Sequence, residues 1–455
     1  MNMIKHAASI PVVMSVLAFP AYALPSDGDG GLSFEGSHRH LIEYIDNQFR
    51  PGRSGDDFLW SLRTSLKMTY RTGGLQLGAE LNDTRAYGIS DSRNVRTASV
   101  NAVEPLQYYL KYNVKGLFSE GDKAYIQAGR LTYDLGSRRV IGRQRYRNSI
   151  NSFMGAKALW QQPNFGRVEA FYLYPSRIKP NDSDGLNDND IEHDNFSNDQ
   201  RIAGIFIEPK NIIPAAVSRL YFVDLSEKDN PDKLATRNRQ LKTVGMQLQR
   251  KRSADAFDFD IEGAYQWGSQ RQSSSPLDTN DLSVKSGFLH AEAGYSFGGN
   301  GQWNIAATYD YASGDKDPND GKSQRYDPLF GPIRGDLGPT GLFTLIHRSN
   351  ISAPGVRFIA KPGKGINLTL HWQAVWLDST TDQFSRTGVR DTTGQAGKFA
   401  GHQMQLRMRM PLIKDQLKFE LGAVFFRNGK FFKNAASASG NGNPFFTYSM
   451  LTFNF

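Results

Sequence analysis

The chain has 455 residues, no cysteine and a formal net charge of +9, with 29 Phe, 19 Tyr and 6 Trp at a mean hydropathy of −0.50. The missing cysteines exclude disulfides, thiol catalysis and thiolate metal sites. No run past the N-terminus approaches about 18 uncharged apolar residues, which excludes a helical membrane protein.

Residues 1–23 read as a secretory signal, because Lys5 and His6 precede an apolar stretch, Ala7 to Phe19, that closes on Ala21, Tyr22 and Ala23. Cleavage is placed after Ala23, and residues 24–455 form one unit without a linker. From there apolar and polar residues alternate at period 2 in segments of about ten, the pattern of an outer-membrane strand. Abundant aromatics in a hydrophilic chain fit a lipid-facing girdle around a polar lumen.

In chain order the alternation predicts strands near 33–48, 58–71, 74–87, 104–116, 123–135, 153–162, 165–175, 200–208 and 217–225. It continues near 241–252, 256–268, 286–297, 302–311, 354–361, 366–378, 399–411, 415–427 and 445–455. The fold class that follows is all-β: a single antiparallel transmembrane barrel of eighteen strands, with sixteen as the alternative count. Connections support it, since short turns such as Thr72–Gly73 and Pro411–Asp415 alternate with long polar stretches such as 176–199, 312–353 and 379–398. The chain ends on Phe455, with Leu451 and Phe453 on the same face, a signal resembling the one read by the barrel assembly machinery.

Giving each apolar face to lipid assigns the lumen. Trp60, Leu62, Leu66 and Met68 face out, leaving Arg63 and Lys67 inward with Ser61 and Ser65. In the next such strand Leu106, Tyr108, Leu110 and Tyr112 face out and Lys111 and Lys115 face in. Alternation also turns Arg357 inward. The sharpest case is HQMQLRMRM, where Met404, Leu406, Met408 and Met410 take the lipid side and Gln403, Gln405, Arg407 and Arg409 the lumen. The opposite phase would cost roughly 2 to 4 kcal/mol per charge at the midplane. Glu80, Asp258, Asp260, Glu262, Glu292 and Asp310 also point inward, so some of these cations are paired.

The densest basic cluster, Arg130, Arg138, Arg139, Arg143, Arg145 and Arg147, falls largely in one external connection. Two readings stay open: the connection folds into the mouth and narrows it, or it binds lipopolysaccharide phosphates. A second loop, with Asp182, Asp184, Asp188 and Asp190, offers oxygen ligands for Ca²⁺ without the twelve-residue EF-hand spacing, and otherwise reads as a solvated external loop. His290 and His371 face the lumen by phase but belong to no catalytic motif, and no HExxH occurs. The chain is therefore read as no enzyme and as having no nucleic-acid partner.

Two stretches, AGRLTYDLGSRRVIGRQRYRNSINSFMGAKALW and YDYASGDKDPNDGKSQRYDPLFG, resemble the alginate-export family of outer-membrane proteins. The resemblance extends over nearly all of the mature chain. It implies an eighteen-stranded barrel whose electropositive constriction passes a uronate polymer, with Arg130, Arg407 and Arg409 lining the pore. The best-known exporters carry a long periplasmic plug loop near the C-terminus, where this chain has only the turn Pro411–Asp415. The expectation is a passive channel of the bacterial outer membrane exporting an acidic polysaccharide, with uptake of small acidic solutes as the alternative. Its wall would hold Arg63, Lys67, Lys111, Arg130, Arg143, Arg145, Arg357, Arg407 and Arg409. Its other partners would be outer-membrane lipid, lipopolysaccharide and periplasmic secretion proteins.

Overall fold

A computed structural model describes residues 30–53, 55–88, 94–230, 235–438 and 442–455, so the signal segment lies outside the described residues. The strands are β1 (Gly30–Asp46), β2 (Asp57–Thr72), β3 (Leu75–Tyr87), β4 (Asn101–Lys115), β5 (Lys123–Leu131), β6 (Phe153–Gln162), β7 (Gly166–Pro175), β8 (Gln200–Pro209) and β9 (Val217–Glu227). They continue as β10 (Gln240–Arg250), β11 (Ala256–Gln270), β12 (Leu282–Phe297), β13 (Trp303–Ala312), β14 (Lys322–Ser323), β15 (Ile351–Gly363), β16 (Ile366–Trp376), β17 (Phe399–Ile413), β18 (Leu417–Asn428) and β19 (Phe445–Asn454). Two short helices, α1 (Ser183–Asp188) and α2 (Lys430–Asn434), lie in loops.

Eighteen of these strands form the wall. The two-residue β14 is a loop segment that adds in parallel to β12, while β13 pairs directly with β15. Each wall strand is antiparallel to its neighbours, and β1 closes on β19 from Ser37↔Asn454 to Asp46↔Phe445. Closure leaves no open edge, which hydrocarbon demands because no water reaches it to satisfy backbone groups. The seam extends to the last residue, with Gly36 N donating to Phe455 O at 2.7 Å and Phe455 N to Gly36 O at 3.0 Å. A Cβ at Gly36 would lie 2.2 Å from the Phe455 ring, so glycine there makes room for the terminal aromatic.

Short turns join the strands at one rim, at 73–74, 298–302, 364–365 and 414–416 among others, and long loops at the other. With Gly30 and Phe455, the first and last described residues, both on the short-turn side, that rim faces the periplasm. The outward face is apolar as the alternation predicts: Leu66, Met68, Tyr108, Leu110, Tyr112, Met404 and Leu406 are all exposed. Leu106 is the exception and is fully buried. The ladder of β3 and β4 pairs Leu81 with Pro105 and Glu80 with Gln107, so Leu106 is the extra residue of a bulge that reverses the phase of β4 at that point.

The apolar core lies inside the barrel at the external end, not between layers. Phe343 stacks on Phe446 with centroids 5.2 Å apart, and Phe384 packs on Phe431 and Phe432 of α2. The loops 313–350 and 377–398 thus fold inward and cap the bore. We predict that Leu406→Arg costs roughly 2 to 4 kcal/mol of folding free energy in lipid vesicles, whereas Gln405→Arg on the opposite face costs little. Denaturant titration of both variants checks it, and equal losses would contradict the assigned phase.

Candidate functional site: the constricted lumen

The arginine-rich loop 132–152 enters the lumen and does not spread over the outer surface. Arg39 of β1 donates to the carbonyls of Arg145 at 2.9 Å and Tyr146 at 2.8 Å and to Asn148 Oδ1 at 2.9 Å. Arg63 of β2 donates to the carbonyls of Arg147 and Asn148 at 3.2 and 3.3 Å. Arg143 reaches Glu80 of β3 at 2.6 Å, and Arg139 reaches Glu262 at 2.7 Å and Asp260 at 3.2 Å on β11. These bonds span the bore, so the loop is a crossbar, and the lipopolysaccharide reading of it is set aside.

Loop 313–350 is held against it. Phe330 N donates to Val140 O at 3.0 Å and Gly142 N to Phe330 O at 3.3 Å, a short parallel bridge between the two loops. Asp336 accepts from Arg139 at 2.9 Å and Arg348 at 2.7 Å, and Asp327 from Arg239 at 2.8 Å. Burial opposes the charge of both carboxylates, but the arginines prevail. Beside Arg239 and Arg386, Asp327 is pushed down to about 2, and Arg139, His290 and Arg348 hold Asp336 well below the usual carboxylate range. The latches therefore stay ionised at any pH a cell meets.

Among the cavities lined by described residues, three lie around the crossed loops. One of 330 Å³ has seven arginines against two carboxylates, Asp336 and Glu420. One of 220 Å³ is lined by Arg252, Arg334, Arg357, Lys361, Arg407 and Arg409 with no carboxylate in its wall, although Glu292 lies behind Arg252 and Arg357 and binds both. A third, of 620 Å³ on the other side of loop 132–152, takes Arg63, Lys67, Arg143 and Arg145 with Glu35 and Glu80.

The predicted wall residues differ in what they touch. Arg407 and Arg409 lie on β17 opposite Thr369 and Asn367 of β16 and line both smaller cavities. Among the described residues neither has a carboxylate within ion-pair distance, although Glu420 of β18 lies opposite Arg409 in the ladder, and Arg409 donates only to Asn367 Oδ1, at 3.3 Å. Lys67 is bound to Glu35 at 3.2 Å, and Arg145 reaches Asp134 at 3.3 Å while remaining mostly exposed. Lys111 sits 3.9 Å above the Tyr125 ring, and Arg357 is tied to Glu292. Arg63 and Arg143 prop the crossbar. Arg130 is withdrawn from the aqueous path altogether: its side chain is 2% exposed between Glu104 and Asp194, the latter at 2.7 Å. Asp194 arrives from loop 176–199 and burial, with Glu104 beside it, pushes its carboxyl up to about 6 against the pull of Arg130.

Arg39, Arg139, Arg252, Arg334 and Lys361 complete the interior and were absent from the predicted wall. Arg39 lies mid-strand in β1, and for the other four the only advance signal was charge in or next to a connection. In the acidic loop Asp182 caps α1, accepting from Gly185 N at 2.9 Å, while Asp184, Asp188 and Asp190 are exposed. Among the described residues, ligand atoms of three candidate metal-binding side chains converge within 4.8 Å only at His290, Asp310 and Asp336, where two arginines already occupy the Asp336 carboxylate. His290 Nδ1 lies 2.8 Å from Asp310, and His371 Nε2 3.0 Å from Thr308 Oγ1, so both histidines are tied into the wall.

The alginate export family model matches residues 31–445. The chain belongs to the alginate export family. Its fold is shared with OccD3 (OpdP) of Pseudomonas aeruginosa, at 12% identity and TM-score 0.56, covering 93% of this chain and 91% of that one. OccAB1 of Acinetobacter baumannii, at 9% identity and TM-score 0.58, covers 93% and 96%. OccAB4 of the same organism, at 11% identity and TM-score 0.57, covers 93% and 98%. Comparison with curated proteins gave no match. Family and fold are those of an outer-membrane transport channel, so this alginate export family member is a passive pore of the bacterial outer membrane.

Removing Arg139 leaves Asp260, Glu262 and Asp336 facing one another, and breaking such a buried set costs roughly 3 to 5 kcal/mol. We predict that Arg139→Ala raises single-channel conductance and current noise; unchanged traces would mean that the loops do not form the constriction. Carboxylates with lowered folded-state pKa stabilise above their unfolded value and lose that only as pH falls through the folded one. With Asp194→Asn removing the loop 176–199 carboxyl that is pushed up to about 6, conductance should therefore show no release of loop 313–350 between about pH 4 and pH 8. A step within that range would contradict the latches.

Proposed function

We propose that the channel prefers anions and exports an acidic polysaccharide of the uronate type, as the family's description suggests. The carrying observation is the 220 Å³ cavity lined by six cations and no carboxylate. Its β17 pair has no acidic partner within ion-pair distance among the described residues, whereas Arg139 and Arg143 of loop 132–152 are paired with wall carboxylates. A contact between unit charges 4 Å apart is worth about 1 kcal/mol in water, so each site attracts weakly. Several along one path raise the local concentration of a polyanion without trapping it, which conduction requires. Direction then follows the side on which polymer is supplied. In the same reading residues 1–23 are removed on export and Phe455 serves assembly of the barrel.

A second reading, uptake of small acidic solutes, is favoured by the crossed loops, because cavities of 220 and 330 Å³ hold a small acid as readily as a segment of polymer. Current block by uronate oligomers of graded length separates the two: export predicts block that deepens with length, uptake predicts block by the monomer alone. For either, a salt gradient across a planar bilayer should give an anion-side reversal potential. Arg407→Glu with Arg409→Glu should shift the permeability ratio roughly tenfold toward cations. A cation-side wild-type potential would overturn the reading.

A further inference from the structure

The two smaller cavities share four wall residues, Arg334, Gly335, Arg407 and Arg409, so the arginine carried by loop 313–350 stands between them as a partition. Arg334 is fixed from the wall side. Its Nη2 donates to Glu420 Oε1 of β18 at 3.0 Å and to the Tyr448 hydroxyl of β19, and that hydroxyl donates to the same Glu420 oxygen at 2.6 Å. The guanidinium rests 4.8 Å above the Tyr146 ring and 5.3 Å from that of Tyr448.

Glu420 is also directly opposite Arg409 in the β17–β18 ladder. Of the two carboxylates lining the larger of these cavities, Asp336 is already committed to Arg139 and Arg348. Glu420 is thus the anion resident among Arg334, Arg407 and Arg409, where a solute carboxylate entering this space would have to bind. Its side chain is 13% exposed and that of Arg334 17%, so both are reached from the lumen.

We propose that Glu420 is an exchangeable internal counter-ion: a solute carboxylate takes its place on Arg334, and the exchange swings the partition and joins the two cavities. The inference rests on the anion-preferring reading above and adds to it a named competitor and a moving part. No bond is made or broken beyond hydrogen bonds, and charge balances because one carboxylate replaces another. Tyr448 acts as a positioning residue, since its hydroxyl holds Glu420 in the occupied state. A multivalent uronate favours the exchange, because it presents several carboxylates at once to Arg334, Arg407 and Arg409 where Glu420 presents one.

The test uses full-length wild type, Glu420→Gln, Tyr448→Phe and Arg334→Gln in planar bilayers, with a uronate trisaccharide and a neutral trisaccharide as probes. Glu420→Gln should block with the uronate at roughly fivefold lower concentration and leave the neutral probe unchanged. Tyr448→Phe, which loosens the same carboxylate without removing it, should shift in the same direction by less and stands in if the first variant fails to fold. Arg334→Gln should raise small-ion conductance and abolish the gain from Glu420→Gln in the double variant. Uronate block by Glu420→Gln equal to or weaker than wild type, in a wild type that prefers anions, overturns the counter-ion alone. A wild type without anion preference removes the reading beneath it as well.

Discussion

Hydrocarbon tolerates neither an unpaired backbone amide nor an unpaired charge, and the rest of this molecule follows from that intolerance. The first half of the constraint closes β1 on β19, down to the paired amides of Gly36 and Phe455. The second half sorts side chains by pleat, so that Leu406 meets lipid while Gln405 and Arg407 are turned into the bore. Cations that cannot face out must be accommodated within a narrow aqueous cylinder. Much of the interior is the solution to that problem.

Two populations of arginine result. One is structural: Arg39 and Arg63 grip the backbone of loop 132–152, Arg139 and Arg143 meet wall carboxylates, and Arg130 is buried between two acids. The other is left over. On β15 to β18 the wall supplies fewer carboxylates than guanidinium groups, and the surplus settles around Arg334, Arg407 and Arg409. The loops that cross the bore are therefore held by the same chemistry that leaves this surplus beside them.

The wall was largely legible from residue order because a two-residue period carries both the strand and its orientation. Predicted segments such as 153–162 and 366–378 fall on β6 and β16 within two residues, and the β17 assignment held in phase as well as position. Leu106 escaped because a bulge adds one residue without changing composition, and every side chain beyond it swaps faces. Arg130 was misplaced for a different reason. Its partner Asp194 lies 64 residues away on a loop whose path no local pattern records. The course of loop 132–152 was equally hidden, since Arg139 and Glu262 are 123 residues apart and only the closed barrel brings them together.

The absence of native cysteine makes the central claim directly measurable. Single cysteines can be placed at positions 406, 407, 408 and 409 and exposed, in bilayers, to a water-soluble, membrane-impermeant anionic thiol reagent while current is recorded. The account predicts rapid modification and a lasting change in current for Arg407→Cys and Arg409→Cys, with Leu406→Cys and Met408→Cys inert. Modification at 406 and 408 with silence at 407 and 409 would place the arginines against lipid and contradict the whole argument.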